Sequence, residues 1–380
     1  MHLKEKLDPS SGQKKILSLD GGGIRGIITI EILAKIEAEL RIKEKNPALV
    51  LSDYFDLVAG TSTGALIGAC ISLGMPISAI RKFYLGSGRE MFDRRFWIPK
   101  LGKFIGYEYS DEPLAQILKK VVGEETTLGS EKLKTLFLLV MHNAKTDSPW
   151  PVSNNPQAKY NSIMERGKES NLHLPLWKLL RASTAAPTYF PPEKINIGEN
   201  EYLFLDGAIT PYNNPAFQAY IMSTVNAYNM NWKKGKDNLL IVSVGTGQVP
   251  LKQPFLKLQL FKMTILHHAE KIPTHLLNSI EYQQDMLCRV FGECLVGHDL
   301  DSEIKDLKGE MGMGSVDEKL FSYIRYNPRL DKKGLENLSL THLEPRKIAK
   351  IDAVDNIKMM QEVGMAMGKY EVKAEHFKGF

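Results

Sequence analysis

Cysteine is scarce: Cys70, Cys288 and Cys294 are the only three in 380 residues, and they form no C-x-x-C or zinc-like spacing. One thiol is left over in any pairing scheme, which argues against a disulfide-stapled or zinc-bound scaffold and for a reducing, cytoplasmic location. Long apolar runs are missing as well. The nearest approach to the roughly 18 residues of a membrane span, LVAGTSTGALIGACISLGM, is broken by hydroxyls and glycines and follows Asp53 and Asp56, so no transmembrane helix is expected. The N-terminal MHLKEKLDPSSGQKK has no apolar core of the secretory-signal kind, and residues 1–13 read as a flexible leader. Charge of one sign is modest: a net +5 and a pI near 8.8 lean toward anionic surfaces but give no support for a DNA or RNA partner. Repeats and low-complexity tracts are absent. The remainder, 43% hydrophobic and 24% charged, is the composition of a globular chain.

Two sharp turns between a strand and a helix stand out. The first is ILSLDGGGIRG, in which Gly21, Gly23 and Gly26 have G-x-G-x-x-G spacing between a strand-like run and a helix carrying Ile30, Leu33, Ile36 and Leu40. Such a turn presents free amides at the positive end of a helix and binds negative charge, either a resting phosphate or a transient oxyanion. A dinucleotide site calls for an acidic residue at the end of the next strand, about 20 positions on. Glu44 lies too near the first helix, and Asp53 and Asp56 precede the next strand. That strand, FDLVAG, runs instead into Gly60-Thr61-Ser62-Thr63-Gly64, a G-x-S-x-G nucleophile elbow with Gly60 and Gly64 flanking Ser62. The oxyanion reading is therefore preferred for the first turn.

Further apolar strands are expected at LKTLFLLVMHNA, YLFLDGA and NLLIVSVGTG, and DSPWPVSNNPQAKYNS reads as a surface loop. Strands alternating with helices to about residue 247 predict a three-layer α/β/α fold with a mainly parallel sheet. A catalytic domain over 14–250 and a mainly helical part over 251–380, packed on the same core, are expected.

A nucleophilic serine needs a base. None of the nine histidines sits in a triad setting after a strand, whereas Asp206 ends the run YLFL ahead of Gly207 and Ala208, so that a strand delivers its carboxylate to the sheet edge. Arg89, Arg94, Arg95, Lys100 and Lys103, interleaved with Phe92, Phe96, Trp97 and Phe104, suit a lipid-facing rim, phosphate contacts, or a core helix with a solvated basic face. Residues 254–268, PFLKLQLFKMTILHH, carry the same pair of readings, membrane-facing or core.

Taken together, DGGGIRG, GTSTG, ASTAAPTYFPP and DGA, in that order over roughly residues 14–250, resemble the patatin-like phospholipases. The resemblance implies a Ser-Asp dyad at Ser62 and Asp206, and an oxyanion hole from the amides around Gly22, Gly23, Arg25 and Gly26. Arg25 is weighed between supporting that turn, pairing with a carboxylate and meeting a phosphate headgroup. No metal or other cofactor is expected. The activity implied is hydrolysis of membrane phospholipid or lysophospholipid, with peripheral membrane contact when active. FSYIRYNPRL, residues 321–330, resembles the closing segment of bacterial members. Stand-alone members of this size include anti-phage effectors switched on by cyclic oligonucleotides, which makes such a nucleotide a candidate activator and a homo-oligomer a candidate assembly. The alternatives are an esterase or thioesterase on soluble acyl substrates, or a nucleotide-binding sensor without catalysis.

Overall fold

A computed structural model describes residues 3–91, 111–249, 265–301, 303–308 and 318–380. Among the described residues nine strands form one sheet: β1 (Lys14–Leu19), β2 (Leu57–Thr61), β3 (Leu136–Asn143), β4 (Ser148–Ser153), β5 (Glu193–Ile197), β6 (Asn200–Asp206), β7 (Leu239–Val244), β8 (Glu293–Val296) and β9 (Ser322–Tyr326). The spatial order is β5-β6-β3-β2-β1-β7-β9-β8, with β4 also paired to β3. From β3 through β8 all pairings along this path are parallel, while β4, β5 and β6 make the antiparallel end. Helices cover both faces, so the fold is three-layer α/β/α.

The central strands are near-continuous apolar runs because both of their faces are covered. Alternate side chains feed two separate cores: Leu17, Leu19, Val58 and Leu139 on one face, Ile16, Leu57, Ala59 and Leu138 on the other. The helix Gly26–Lys43 lies over the first face, with Ile30, Leu33, Ile36 and Leu40 fully buried. Ile28, Ile32 and Glu31 of the same helix are buried too, which a one-faced amphipathic reading does not anticipate. The helix Ile357–Glu371 covers this second side, Gly364 permitting close approach to Ile28 and Gln361 donating to Glu31 at 2.7 Å.

Two expectations are corrected and a third is extended. Residues 3–13 are docked rather than loose: Lys6, in the short helix Leu3–Leu7, is 1% exposed and donates to the carbonyls of Ser52 and Phe55. The stretch read as a surface loop contains β4, whose Pro149 and Pro151 are tolerated because β4 is an edge strand needing few ladder donors. Its Asn154, Asn155 and Asn161 are buried and hydrogen-bonded to main chain. Finally, the C-terminal part adds β8 and β9 to the sheet, the latter formed by the SYIRY of residues 322–326.

Candidate active site

The parallel pairing of β1 with β2 matches Leu19 to Gly60, so the chain leaves both strands at the same level and the two sharp turns stand side by side. At the second turn Ser62 has φ 54° and ψ −125°, a conformation that costs a non-glycine residue about 1–3 kcal/mol and occurs where the surroundings enforce it. The enforcement is visible. The Ser62 amide donates to Ser183 Oγ at 2.9 Å, and Ser183 Oγ in turn donates to the Val140 carbonyl at 2.6 Å. Gly64, one residue into the helix Thr63–Ser72, lies so close to β1 that a methyl group there would overlap the Leu19 carbonyl oxygen. Gly60 packs in turn against the Gly64 carbonyl.

The aspartate arrives from the opposite direction. β4 occupies one edge of β3 from Leu138 to Asn143, and β2 occupies the other as far as Val140. β6, antiparallel, pairs with the remainder of that second edge, and its last residue, Asp206, is matched to Met141. β2 and β6 thus meet end to end along β3, and Ser62 Oγ donates to Asp206 Oδ2 at 2.7 Å. Asp206 Oδ1 accepts the Ala208 amide at 2.8 Å, and the Gly207 backbone fits against the Val140 carbonyl. Asp206 is 3% exposed and Ser62 8%. Burial pushes the Asp206 carboxyl up to about 7, opposed by the Ala208 amide, the Ser62 hydroxyl and the positive charge of Arg181. The serine thus faces a carboxylate poised to exchange a proton near neutrality.

In the glycine turn the amides divide into two groups. The Arg25 amide donates to the Gly22 carbonyl, and the Gly26 amide to the Gly23 carbonyl at the start of the helix. Both are therefore committed, whereas the amides of Gly22 and Gly23 meet no protein acceptor among the described residues, so that of the four residues expected to form an oxyanion hole only these two have amides left to donate. Gly23 sits at φ +58°, left-handed backbone that only glycine adopts freely. Gly21 abuts Ser62, so the two turns are in contact.

Arg25 is partly buried, and its field partners are the carboxylates of Glu281 and Asp20; desolvation lowers its pKa against their pull. Asp20 itself is held by both terminal nitrogens of Arg325, at 2.8 and 2.6 Å, and Arg325 also reaches Ser243 and Glu281. The base of the turn is thereby bonded to β9. Sequence reasoning missed Ser183 and Arg325; the first lay inside ASTAAPTYFPP, whose serine had no assigned role.

Among the described residues no histidine bonds Ser62 or Asp206: His142 pairs with Asp147, His342 with Glu362, and His376 with Tyr326. Nor is any group of three or more His, Cys, Asp or Glu arranged there for a metal ion. No described helix is long and apolar enough to cross a membrane. Of the basic-aromatic stretch, Phe92, Arg94, Arg95, Phe96, Trp97, Lys100, Lys103 and Phe104 lie outside the described residues, as do the Arg89 side chain and most of 254–268.

A family model, patatin-like phospholipase, matches residues 17–220. Patatin-17 of Solanum cardiophyllum and Patatin-01 of Solanum tuberosum are each 30% identical over 253 residues, which is 61% of this chain and 60% of theirs. The chain thus spans about three fifths of the length of these relatives. Among solved structures, VipD from Legionella pneumophila aligns over 92% of this chain and 67% of its own at 13% identity and a TM-score of 0.36.

Proposed function

Because this chain belongs to the patatin-like phospholipase family, we propose that it is a serine acyl hydrolase acting on phospholipid or lysophospholipid through Ser62 and Asp206. The observation that carries this reading is the 2.7 Å hydrogen bond from a strained, buried serine to a buried aspartate. Asp206 takes the hydroxyl proton as Ser62 Oγ attacks the ester carbonyl, and the alcohol leaves with a proton returned by Asp206. The tetrahedral oxygen takes its hydrogen bonds from Gly22 and Gly23, with the positive ends of the helices Gly26–Lys43 and Thr63–Ser72 supporting the charge. Water, deprotonated by the same carboxylate, then frees the fatty acid from the acyl-enzyme.

Ser62→Ala removes the nucleophile while leaving the packing nearly unchanged. We expect loss of fatty-acid release from phospholipid vesicles, and of labelling by a fluorophosphonate, with the unfolding midpoint close to that of the parent. Undiminished turnover by this variant overturns the assignment. A rate that rises when substrate passes from monomer to micelle or bilayer separates a phospholipase from an esterase of soluble substrates. Regulation by a cyclic oligonucleotide, with a role in antiviral defence, belongs to the same proposal: fatty-acid release is then nearly idle until such a nucleotide is added. Full basal activity that no member of a nucleotide panel changes removes that part and leaves the hydrolase reading standing.

A further inference from the structure

We infer that Tyr84 is a positioning residue of the oxyanion turn: its hydroxyl fixes the peptide unit that aims the two free amides, and ties that unit to the helix of the nucleophile. The inference rests on the hydrolase reading above.

Tyr84 lies on the helix Ile77–Met91, is 1% exposed, and is remote in sequence from both turns. Its Oη donates to the Gly23 carbonyl at 2.6 Å. A phenol has one proton, and a carbonyl can only accept, so in the second bond of Tyr84 Oη, 2.9 Å long, the donor is Thr63 Oγ1. Thr63 directly follows Ser62. The chain Thr63–Tyr84–Gly23 is therefore a polar strut between the elbow and the glycine turn, in a place that would otherwise be served by nondirectional packing.

The strut acts on the peptide unit that matters. The Gly23 carbonyl accepts from both Tyr84 and the Gly26 amide, while the other end of that unit, the Ile24 amide, donates to the Ile351 carbonyl at 2.8 Å. One peptide plane is thus pinned at both ends. The carbonyls of the two preceding units are held as well, Gly21 by Thr246 Oγ1 at 3.1 Å and Gly22 by the Arg25 amide at 3.3 Å. Among the described residues, the pair of amides at Gly22 and Gly23 remains unbonded, each on a unit whose carbonyl is fixed. Glycine backbone at positive φ has no side-chain steric control of its own, so orientation must be supplied by such bonds. Of the described side chains supplying them, Thr246 and Tyr84, it is Tyr84 that also bonds the residue following Ser62. Ile351 lies beyond residues 17–220, so the pinning also draws on the C-terminal part of the chain.

The test is Tyr84→Phe, which removes both hydrogen bonds and keeps the ring. With a soluble acyl ester as substrate, we expect kcat to fall about 10- to 100-fold, the range for a misplaced oxyanion donor, and KM to stay within about twofold. Affinity for an alkyl trifluoromethyl ketone, which forms a serine-bound tetrahedral oxyanion, should fall by a similar factor, an effect that general loosening of the fold does not select. Thr63→Val breaks only the Thr63–Tyr84 bond, and provides the same readout should Tyr84→Phe not fold. Combined with Tyr84→Phe it should add little, because both act through one strut. Unchanged kcat and ketone affinity in a folded Tyr84→Phe, or losses in KM alone, overturn the inference. Ser62→Ala assayed in parallel keeps the two questions apart: if it is inactive while Tyr84→Phe matches the parent, the positioning role fails and the hydrolase reading survives.

Discussion

Asp206 faces two opposed demands. To act as the proposed general base it must be ionised, yet the carboxyl lies almost wholly out of solvent, where the charged form is disfavoured. The Ala208 amide and the Ser62 hydroxyl restore part of the lost solvation, leaving a group that titrates near neutrality at about 7. This predicts the pH profile: kcat/KM on a soluble ester should climb as pH rises toward about 7 and level above it. Asp206→Asn, whose amide cannot take the proton, should lose activity at every pH, and a variant that kept the parental profile would remove Asp206 from the role of base. In the proposed oxyanion site Gly22 and Gly23 would act through their amides alone, which is why no side-chain chemistry in the turn announced which of its residues are free.

At the scale of an element, the unit is strand, turn and helix, and its precision comes from close backbone approach. The helix Thr63–Ser72 sits on β1 at Gly64, where even a methyl group meets the Leu19 carbonyl. Gly64→Val should therefore force β1 and the helix apart and destabilise by several kcal/mol, on the order of the larger core penalties, as read by urea unfolding. Ser183→Ala is gentler. It leaves the Ser62 amide and the Val140 carbonyl without their shared partner, at a cost of about 1–3 kcal/mol, and it should lower kcat by loosening the strained serine. Full activity in Ser183→Ala would show that the elbow holds its conformation without that bond. The G-x-S-x-G spacing made this element legible from the sequence. Its support from Ser183 did not show, because a serine 121 positions away has no local pattern linking it to the turn.

Over the whole molecule, the glycine turn is bonded to segments far along the chain. Arg325 of β9, 305 residues from Asp20, holds that carboxylate in a buried bidentate pair. Arg325→Met leaves Asp20 uncompensated and should cost about 3–5 kcal/mol, whereas pairing it with Asp20→Asn should recover part of the loss. Equal stability of the single and double variants would mean the pair is not coupled. Buried Asp206 also imposes a pH dependence on folding. Its carboxyl holds a proton in the folded state up to about 7, against an ordinary value of 3.8, so the folded form binds more protons across that window. Its contribution to stability therefore falls as pH rises from about 4 to about 7 and stays low above. Asp206→Asn, free of this term, should gain melting temperature relative to the parent at pH 8 more than at pH 5. A gain that does not depend on pH would contradict the burial argument.

The sequence by itself determined the elements whose cause is local. Apolar runs of strand length, glycines at a sharp turn, and Ser62 between Gly60 and Gly64 each encode their conformation within a few residues, and so the α/β/α class and the sharp turn at Ser62 were legible. Asp206 could be nominated because it ends a strand. Only the tertiary structure decided that β6 runs antiparallel and meets β2 head-on, which brings Asp206 to Ser62 across 144 residues of sequence. It also decided that the Arg25 and Gly26 amides are spent within the turn, that Pro-containing residues 148–153 pair as an edge strand, and that residues 3–13 are docked. These outcomes depend on which carbonyl or strand edge happens to stand opposite, and hydrogen bonds and burial between distant segments leave no periodicity in the chain that makes them.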